Sequence, residues 1–208
     1  GFSIIKYVGN GTSGIEIPHH LGVAPEFLIV KRLDAVVDWH AWQIKMGADK
    51  YIWLNQTNPM YGSVNYFKAV SSTTFTLGSD SSINADDADY VCYAFAGIDG
   101  YSKIGSYEGN GSTDGPFLYC GFRPSFLLTK ETSGTGNWRI KDNKRDTYNV
   151  MEDTLYPNST TAELDENDLD FVSNGVKLRN SGGEENADGD DYIFMAFAES
   201  PFKYANAR

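Results

Sequence analysis

The residues of this chain best suited to chemistry are three histidines, two cysteines and a surplus of carboxylates. His19 and His20 follow Pro18 in a turn, and His40 stands apart from both. That spacing does not match a zinc-hydrolase signature, which sets two His one helical turn apart around a Glu. The sequence also lacks a phosphate-cradling Gly-x-x-x-x-Gly-Lys-Ser/Thr loop and a Gly-x-Ser-x-Gly nucleophile elbow. Glycoside hydrolysis needs only two carboxylates about 5 to 10 Å apart. With 28 Asp and Glu in the chain, chance supplies such pairs and singles out none. No catalytic residue is expected.

Two acidic turns raise a metal question. Asp80, Asn84, Asp86, Asp87 and Asp89 crowd one stretch, and Glu184, Glu185, Asn186, Asp188, Asp190 and Asp191 crowd another. Hard oxygen donors at that density suit Ca2+, which takes six to eight oxygens, and they nominate Asp80, Asp86, Asp89, Asp188 and Asp190 as ligands. Against this, Asp and Asn close turns by bonding their own backbone, and the spacing departs from the EF-hand loop. No other cofactor is expected.

These groups must be held by the surrounding elements, and the sequence shows those elements twice. Tyr7-Val8-Gly9-Asn10-Gly11-Thr12 returns as Tyr107-Glu108-Gly109-Asn110-Gly111-Ser112. Ala24-Pro25-Glu26-Phe27-Leu28 returns as Arg123-Pro124-Ser125-Phe126-Leu127, and Asp38-Trp39 as Asn137-Trp138. The endings agree best: Asn84-Ala85-Asp86 running to Tyr90 and Ala96 matches Asn186-Ala187-Asp188 running to Tyr192 and Ala198. A unit of about 100 residues therefore occurs twice, as 1–99 and 100–208. Within each, short stretches with a two-residue apolar period alternate with Gly, Asn and Asp clusters, which is the spacing of β-sandwich strands. In 90–96, Val91, Tyr93 and Phe95 take one face and Tyr90, Cys92, Ala94 and Ala96 the other. Aromatics at 14% and 21 Gly fit the same reading. The expected fold is all-β, two tandem homologous β-sandwiches of jelly-roll or Ig-like type. Helical periodicity is weak, and the polar segment Thr160 to Asp168 is expected to hold one helical turn at most.

Charge and aromatic placement narrow the partners. With 17 Lys and Arg against 28 Asp and Glu the net charge is −11, so a nucleic acid would be repelled, and no basic stripe offsets this. No apolar run approaches the roughly 18 residues of a membrane span, so membrane insertion is not expected. Cys92 aligns with Phe194 and Cys120 with Leu21, positions for small buried hydrophobes, so both thiols are expected reduced. Trp39 and Trp138 repeat and are expected in the core. Trp42 and Trp53 occur in the first unit alone. Unrepeated aromatics are what a binding face adds, so Trp42 and Trp53, with Asn55 and Gln56 beside them, are the candidate ligand-binding residues.

The paired motifs, from Gly1-Phe2-Ser3-Ile4 through Leu21-Gly22-Val23-Ala24-Pro25 to Tyr90-Val91-Cys92-Tyr93-Ala94-Phe95-Ala96, resemble a repeat of bacteriophage tail-fibre-like and other virion structural proteins. The stretch from Ala196 to Arg208 resembles the C-terminus of such chains. The resemblance implies a virion location, on a tail or other surface appendage. It also implies a non-enzymatic role in assembly or host-surface attachment. The implied partners are other virion proteins and copies of the chain itself, in a homo-oligomer such as a trimer. A host-surface glycan is the alternative partner, through a carbohydrate-binding module; a polysaccharide depolymerase is the third reading.

Overall fold

The computed structural model describes residues 1–200, so Pro201 to Arg208, the end of the C-terminal motif, lie outside the described residues. The chain is all-β with antiparallel sheets, and it separates into two compact units, Gly1–Gly97 and Ile98–Arg208.

The first unit contains β1 (Phe2–Val8), β2 (Ile15–Pro18), β3 (Phe27–Arg32), β4 (His40–Gln43), β5 (Lys50–Trp53), β6 (Tyr61–Gly62), β7 (Phe67–Val70), β8 (Thr74–Leu77), the helical turn α1 (Ser81–Asn84) and β9 (Asp89–Phe95). Hydrogen bonding runs β1-β9-β3-β4-β5-β7-β8-β2, with β6 also on β5. The sheet folds over at β5, which pairs with β4 through Trp53 and with β7 through Lys50. Its two halves face each other across one core. Ile5, Tyr7, Leu28, Val30, Trp42, Tyr90, Cys92 and Ala94 come from one half, and Ile17, Phe67, Phe75 and Leu77 from the other. The two-residue period is visible in β9, where Tyr90, Cys92 and Ala94 are buried while Val91, Tyr93 and Phe95 are half-buried on the opposite face. The small side chains of Cys92 and Ala94 face the opposing half of the sandwich, inside the core.

The second unit contains β10 (Ser102–Glu108), β11 (Phe117–Tyr119), β12 (Pro124–Glu131), β13 (Arg139–Asp142), β14 (Met151–Thr154), β15 (Leu164–Val172), β16 (Gly175–Leu178), α2 (Gly183–Asn186) and β17 (Asp191–Ala198). Its sheets run β10-β17-β12-β13 and β11-β16-β15-β14, and a bridge from Ile140 to Leu155 links β13 to the segment after β14. That is the strand order of the first unit. Val91 lies between Lys6 and Lys31, and Ile193 between Ser106 and Lys130. In both units the first strand pairs with the last and the second with the second-last, while the middle strands run as a meander.

Segment Thr160 to Asp168 holds no helical turn, within the limit of one at most, but its second half is strand. It runs into β15 at Leu164, because Thr154 and Asp153 pair with Leu164 and Asp165 and a polar sequence at the surface accepts that pairing. The short β2, β6, β11 and β14 carry too few residues for their period to register in the sequence, and the single helical turns α1 and α2 lie inside stretches read as turns.

One buried asparagine closes each unit. Asn84, fully buried, accepts from the Asn10 backbone N–H at 2.9 Å and donates to the Thr12 and Gly78 carbonyls at 2.9 and 2.7 Å. Asn186 repeats this with the Asn110 N–H and the Ser112 and Asn180 carbonyls at 2.9, 2.8 and 2.6 Å. The Gly-Asn-Gly turns permit the contact in two ways. Gly11 and Gly111 take φ of +64° and +59°, where a Cβ is penalised. A Cβ on Gly9 or Gly109 would sit 2.1 Å from the carbonyl oxygen of Ala85 or Ala187. Asn84→Ala removes the partner of three backbone groups at once, and Asn186→Ala does the same in the second unit. Each is expected to cost roughly 3 kcal/mol in urea unfolding. Asn10→Ala, which loses only an exposed turn bond to the Thr12 N–H, should cost under about 1 kcal/mol.

Candidate functional site

The acidic turns do not assemble as ligands. Asp80 caps α1, its carboxylate accepting from the Ser82 N–H at 2.8 Å. Asp89 pairs with Lys6 at 3.0 Å, and Asp190 accepts from the Ser133 hydroxyl at 3.2 Å. Asp86 and Asp188 are exposed on the turns that follow α1 and α2. Among the described residues no group of three or more His, Cys, Asp or Glu is placed to hold a metal ion. The shared Asn-Ala-Asp spacing is thus tied to the asparagine clamp, which the ligand reading overlooked.

Trp42 is not a surface residue. It is buried in the core, with Nε1 donating to the Gly47 carbonyl at 2.7 Å. Its place in β4, opposite Leu28, sends it inward. Asn55 and Gln56 both donate to the Asp38 carboxylate, at 2.9 and 2.7 Å, and Asn55 Oδ1 accepts from the Trp39 N–H at 2.9 Å. The second unit repeats this: Asn158 accepts from the Trp138 N–H at 2.9 Å and donates to Asn137 Oδ1 at 2.8 Å. Asn55 is therefore a structural brace common to both units, a pairing that the gap before Asn158 hides in the sequence.

Trp53 belongs to an aromatic group that, among the described residues, the second unit does not repeat. Tyr51 stacks on Tyr66 with ring centres 3.8 Å apart, and Trp53 lies 5.4 Å from Tyr51 and 5.2 Å from Tyr61. β5 supplies Tyr51 and Trp53, both half-buried; Tyr61 on β6 is exposed and Tyr66 buried. Asn58 donates to the Tyr61 hydroxyl at 3.2 Å. Trp53 Nε1 donates to Nε2 of the buried His40 at 2.9 Å, which leaves the ring proton on Nδ1. Burial lowers the His40 pKa to about 4, against the opposing charges of Asp80 and Asp38. Burial likewise raises Tyr66 and Tyr51. The group offers partly exposed ring faces with neutral polar neighbours, an arrangement that can take the apolar face of a ring-shaped ligand.

At the matching positions the second unit carries ions. Val30 pairs with His40 and Leu28 with Trp42; their counterparts are Thr129 with Arg139 and Leu127 with Lys141. Ile83, buried in the first core, is replaced by the fully buried Glu185. Arg139 Nη2 reaches Glu184 at 2.9 Å and Glu166 at 3.2 Å, while its Nη1 stands 3.8 Å from Glu185 Oε2 without a hydrogen bond. Thr129 donates to Glu185 Oε1 at 3.1 Å. Lys141 Nζ donates to the Glu152 and Glu166 carbonyls at 2.9 and 2.7 Å. Burial raises the Glu185 pKa despite Arg139 and Lys141, and lowers that of Lys141. The sequence reading missed this cluster. Its signal was the paired replacement of Trp42 by Lys141 and Ile83 by Glu185.

The remaining candidates are structural. His19 is buried, its Nε2 3.1 Å from the Ser71 carbonyl and its Nδ1 accepting from the Leu21 N–H. Cys92 and Cys120 are buried free thiols; burial pushes Cys120 up to about 12 and Cys92 higher.

The chain belongs to the family described as a domain of unknown function, DUF7483, whose model matches residues 1–201 and so spans both units. No curated protein matches it. A solved structure described as "Crystal Structure of the STIV MCP" aligns at 10% identity with a TM-score of 0.30, covering 100% of this chain and 89% of that one. A score that low supports no inference about this chain.

His40 gives the first unit a pH dependence. Its folded pKa lies below the unfolded value near 6.5, so the stabilisation is complete above pH 6.5 and is lost as pH falls from there towards 4. Between those limits the loss should reach about 3 kcal/mol. In urea unfolding, His40→Gln should flatten that part of the profile relative to wild type.

Proposed function

We propose that this chain is a non-enzymatic structural and adhesion module of a bacteriophage virion, built as two homologous β-sandwiches, 1–99 and 100–208, on a tail fibre or other surface appendage. Its partners are other virion proteins and copies of itself. The observation that carries this reading is the set of apolar side chains the first unit leaves exposed: Phe2, Ile4, Leu33 and Val36 are all more than half exposed, and contacts in an assembly would cover them. The reading also draws on the resemblance to virion structural proteins. The polar groups nominated from sequence support it as well, because Asn55, Gln56, Asp80, Asp89 and Asp190 hold turns and ion pairs. Antibody labelling of purified phage particles tests it. Labelling at the particle surface is expected, and particles free of the chain would overturn the reading.

A second reading, carbohydrate recognition at the host surface, is favoured by the group Tyr51, Trp53 and Tyr61 with Asn58. Here the rings would cover the apolar face of a sugar and the neighbouring polar groups would orient it. On a glycan array, Trp53→Ala and Tyr61→Ala should each reduce binding about fivefold or more, since each removes a ring worth over about 1 kcal/mol. Tyr61→Ala bears less on the fold, its ring being exposed. Absence of wild-type binding would remove this reading and leave assembly.

A further inference from the structure

We propose that His40 is a proton-operated latch on Trp53: the neutral ring holds the indole in the aromatic group of the first unit, and protonation releases it. The proposal concerns regulation of the site in the carbohydrate reading above and rests on that reading for its use.

The latch is one hydrogen bond that exists in a single charge state. Trp53 Nε1 can only donate, and it donates to Nε2 of His40 at 2.9 Å. The bond therefore needs a neutral imidazole with its proton on Nδ1. That nitrogen is buried and faces the Asp38 main-chain carbonyl without a hydrogen bond of good geometry. A second proton must go to Nε2. Two N–H groups would then point at each other across the same gap, and the acceptor is gone.

The charged groups that face His40 are themselves engaged. Asp38, just before β4, accepts from Asn55 and Gln56 at 2.9 and 2.7 Å. Asp80, the cap of α1, accepts from the Ser82 N–H at 2.8 Å, and Lys31 on β3 donates to the Val37 carbonyl at 2.6 Å. Burial opposes the protonated ring most, with Lys31 on the same side and both carboxylates against it. The ring neighbours Tyr51 on β5 and Tyr66 before β7 lie 5.9 and 5.3 Å away. Burial raises both phenols, so they stay neutral.

β5 is the strand that a release would move. Two residue pairs hold it to β4, His40 with Trp53 and Ala41 with Ile52, and Lys50 with Phe67 holds it to β7. Trp53 is the last residue of β5, and its ring lies 5.2 Å from Tyr61 on β6. The indole bond thus ties the ring group to a buried side chain of the neighbouring strand. Losing it lets Trp53 turn away from Tyr51 and Tyr61, so acid takes apart the group that offers ring faces at neutral pH. By linkage, a ligand that holds Trp53 in place would make His40 harder to protonate.

Indole N–H signals of the nitrogen-15-labelled whole chain test the latch, followed with the His40 ring signals from neutral pH down through about 4. The chain has four Trp, and the signal missing from Trp53→Phe identifies Trp53. At neutral pH the His40 ring should show the Nδ1–H tautomer. The Trp53 signal should shift upfield in step with His40 protonation while the other three hold their positions. In His40→Gln the amide oxygen accepts the indole N–H at every pH, so that signal should stay where it is. The wild-type titration decides alone if His40→Gln does not fold, since the two signals either move together or do not. A Trp53 signal unmoved across the range, all four moving together as in unfolding, or the same shift in His40→Gln overturns the proposal. The signals are read without ligand, so the latch can hold on a chain that binds no glycan, and a glycan can bind where the latch fails.

Discussion

Each unit depends on one buried amide. Buried themselves, Asn84 and Asn186 each pair with a loop N–H and two loop carbonyls. The clamp brings the turn after the first strand against the helical turn before the last strand, and those two strands pair along their whole length. Tyrosines complete it: Tyr7 donates to the Ile83 carbonyl, and Tyr90 both accepts from the Ala85 N–H and donates to the Ser81 carbonyl. Tyr107 and Tyr192 repeat these bonds. This explains why the closing motif is so similar in the two halves while the rest has diverged.

Divergence is greatest at the positions the clamp does not constrain. The first unit fills its interior with Val30, Trp42 and Ile83, and the second places Thr129, Lys141 and Glu185 there. Buried ions seldom stabilise more than well-packed apolar groups would, because desolvation offsets their attraction. The second unit meets that cost with hydrogen bonds: Lys141 donates to backbone carbonyls and Arg139 is shared between Glu184 and Glu166. The first unit instead gains Trp53 over His40, and with it a ring cluster extending to the surface.

Much of this was legible in the sequence where a local signal and a tertiary demand coincide. The two-residue period of 90–96 reports a strand packed on one face, and Gly11 and Gly111 report turns that need positive φ. The repeat itself gave the matching strand order. Roles that depend on distant partners were not legible. Asp80 and Asp89 resemble ligands until the Ser82 N–H and Lys6 are seen beside them. Trp42 and Trp53 look alike as unrepeated aromatics, yet one faces the core and the other the surface cluster. Gln56 and Asn55 point to Asp38, a partner no spacing rule reveals. Strand β15 was hidden because its first half is polar and is held by pairing with β14.

The clamp makes a direct demand on exchange rates. Asn10, Gly11, Asn110 and Gly111 lie in exposed turns, yet their N–H groups donate to Asn84 or Asn186 at 2.9 to 3.0 Å. Residue-resolved amide hydrogen exchange by NMR measures this. These four amides should exchange as slowly as those of the paired first and last strands, within about tenfold. Exchange at the rate of an unprotected loop, while those strands stay protected, would contradict the account.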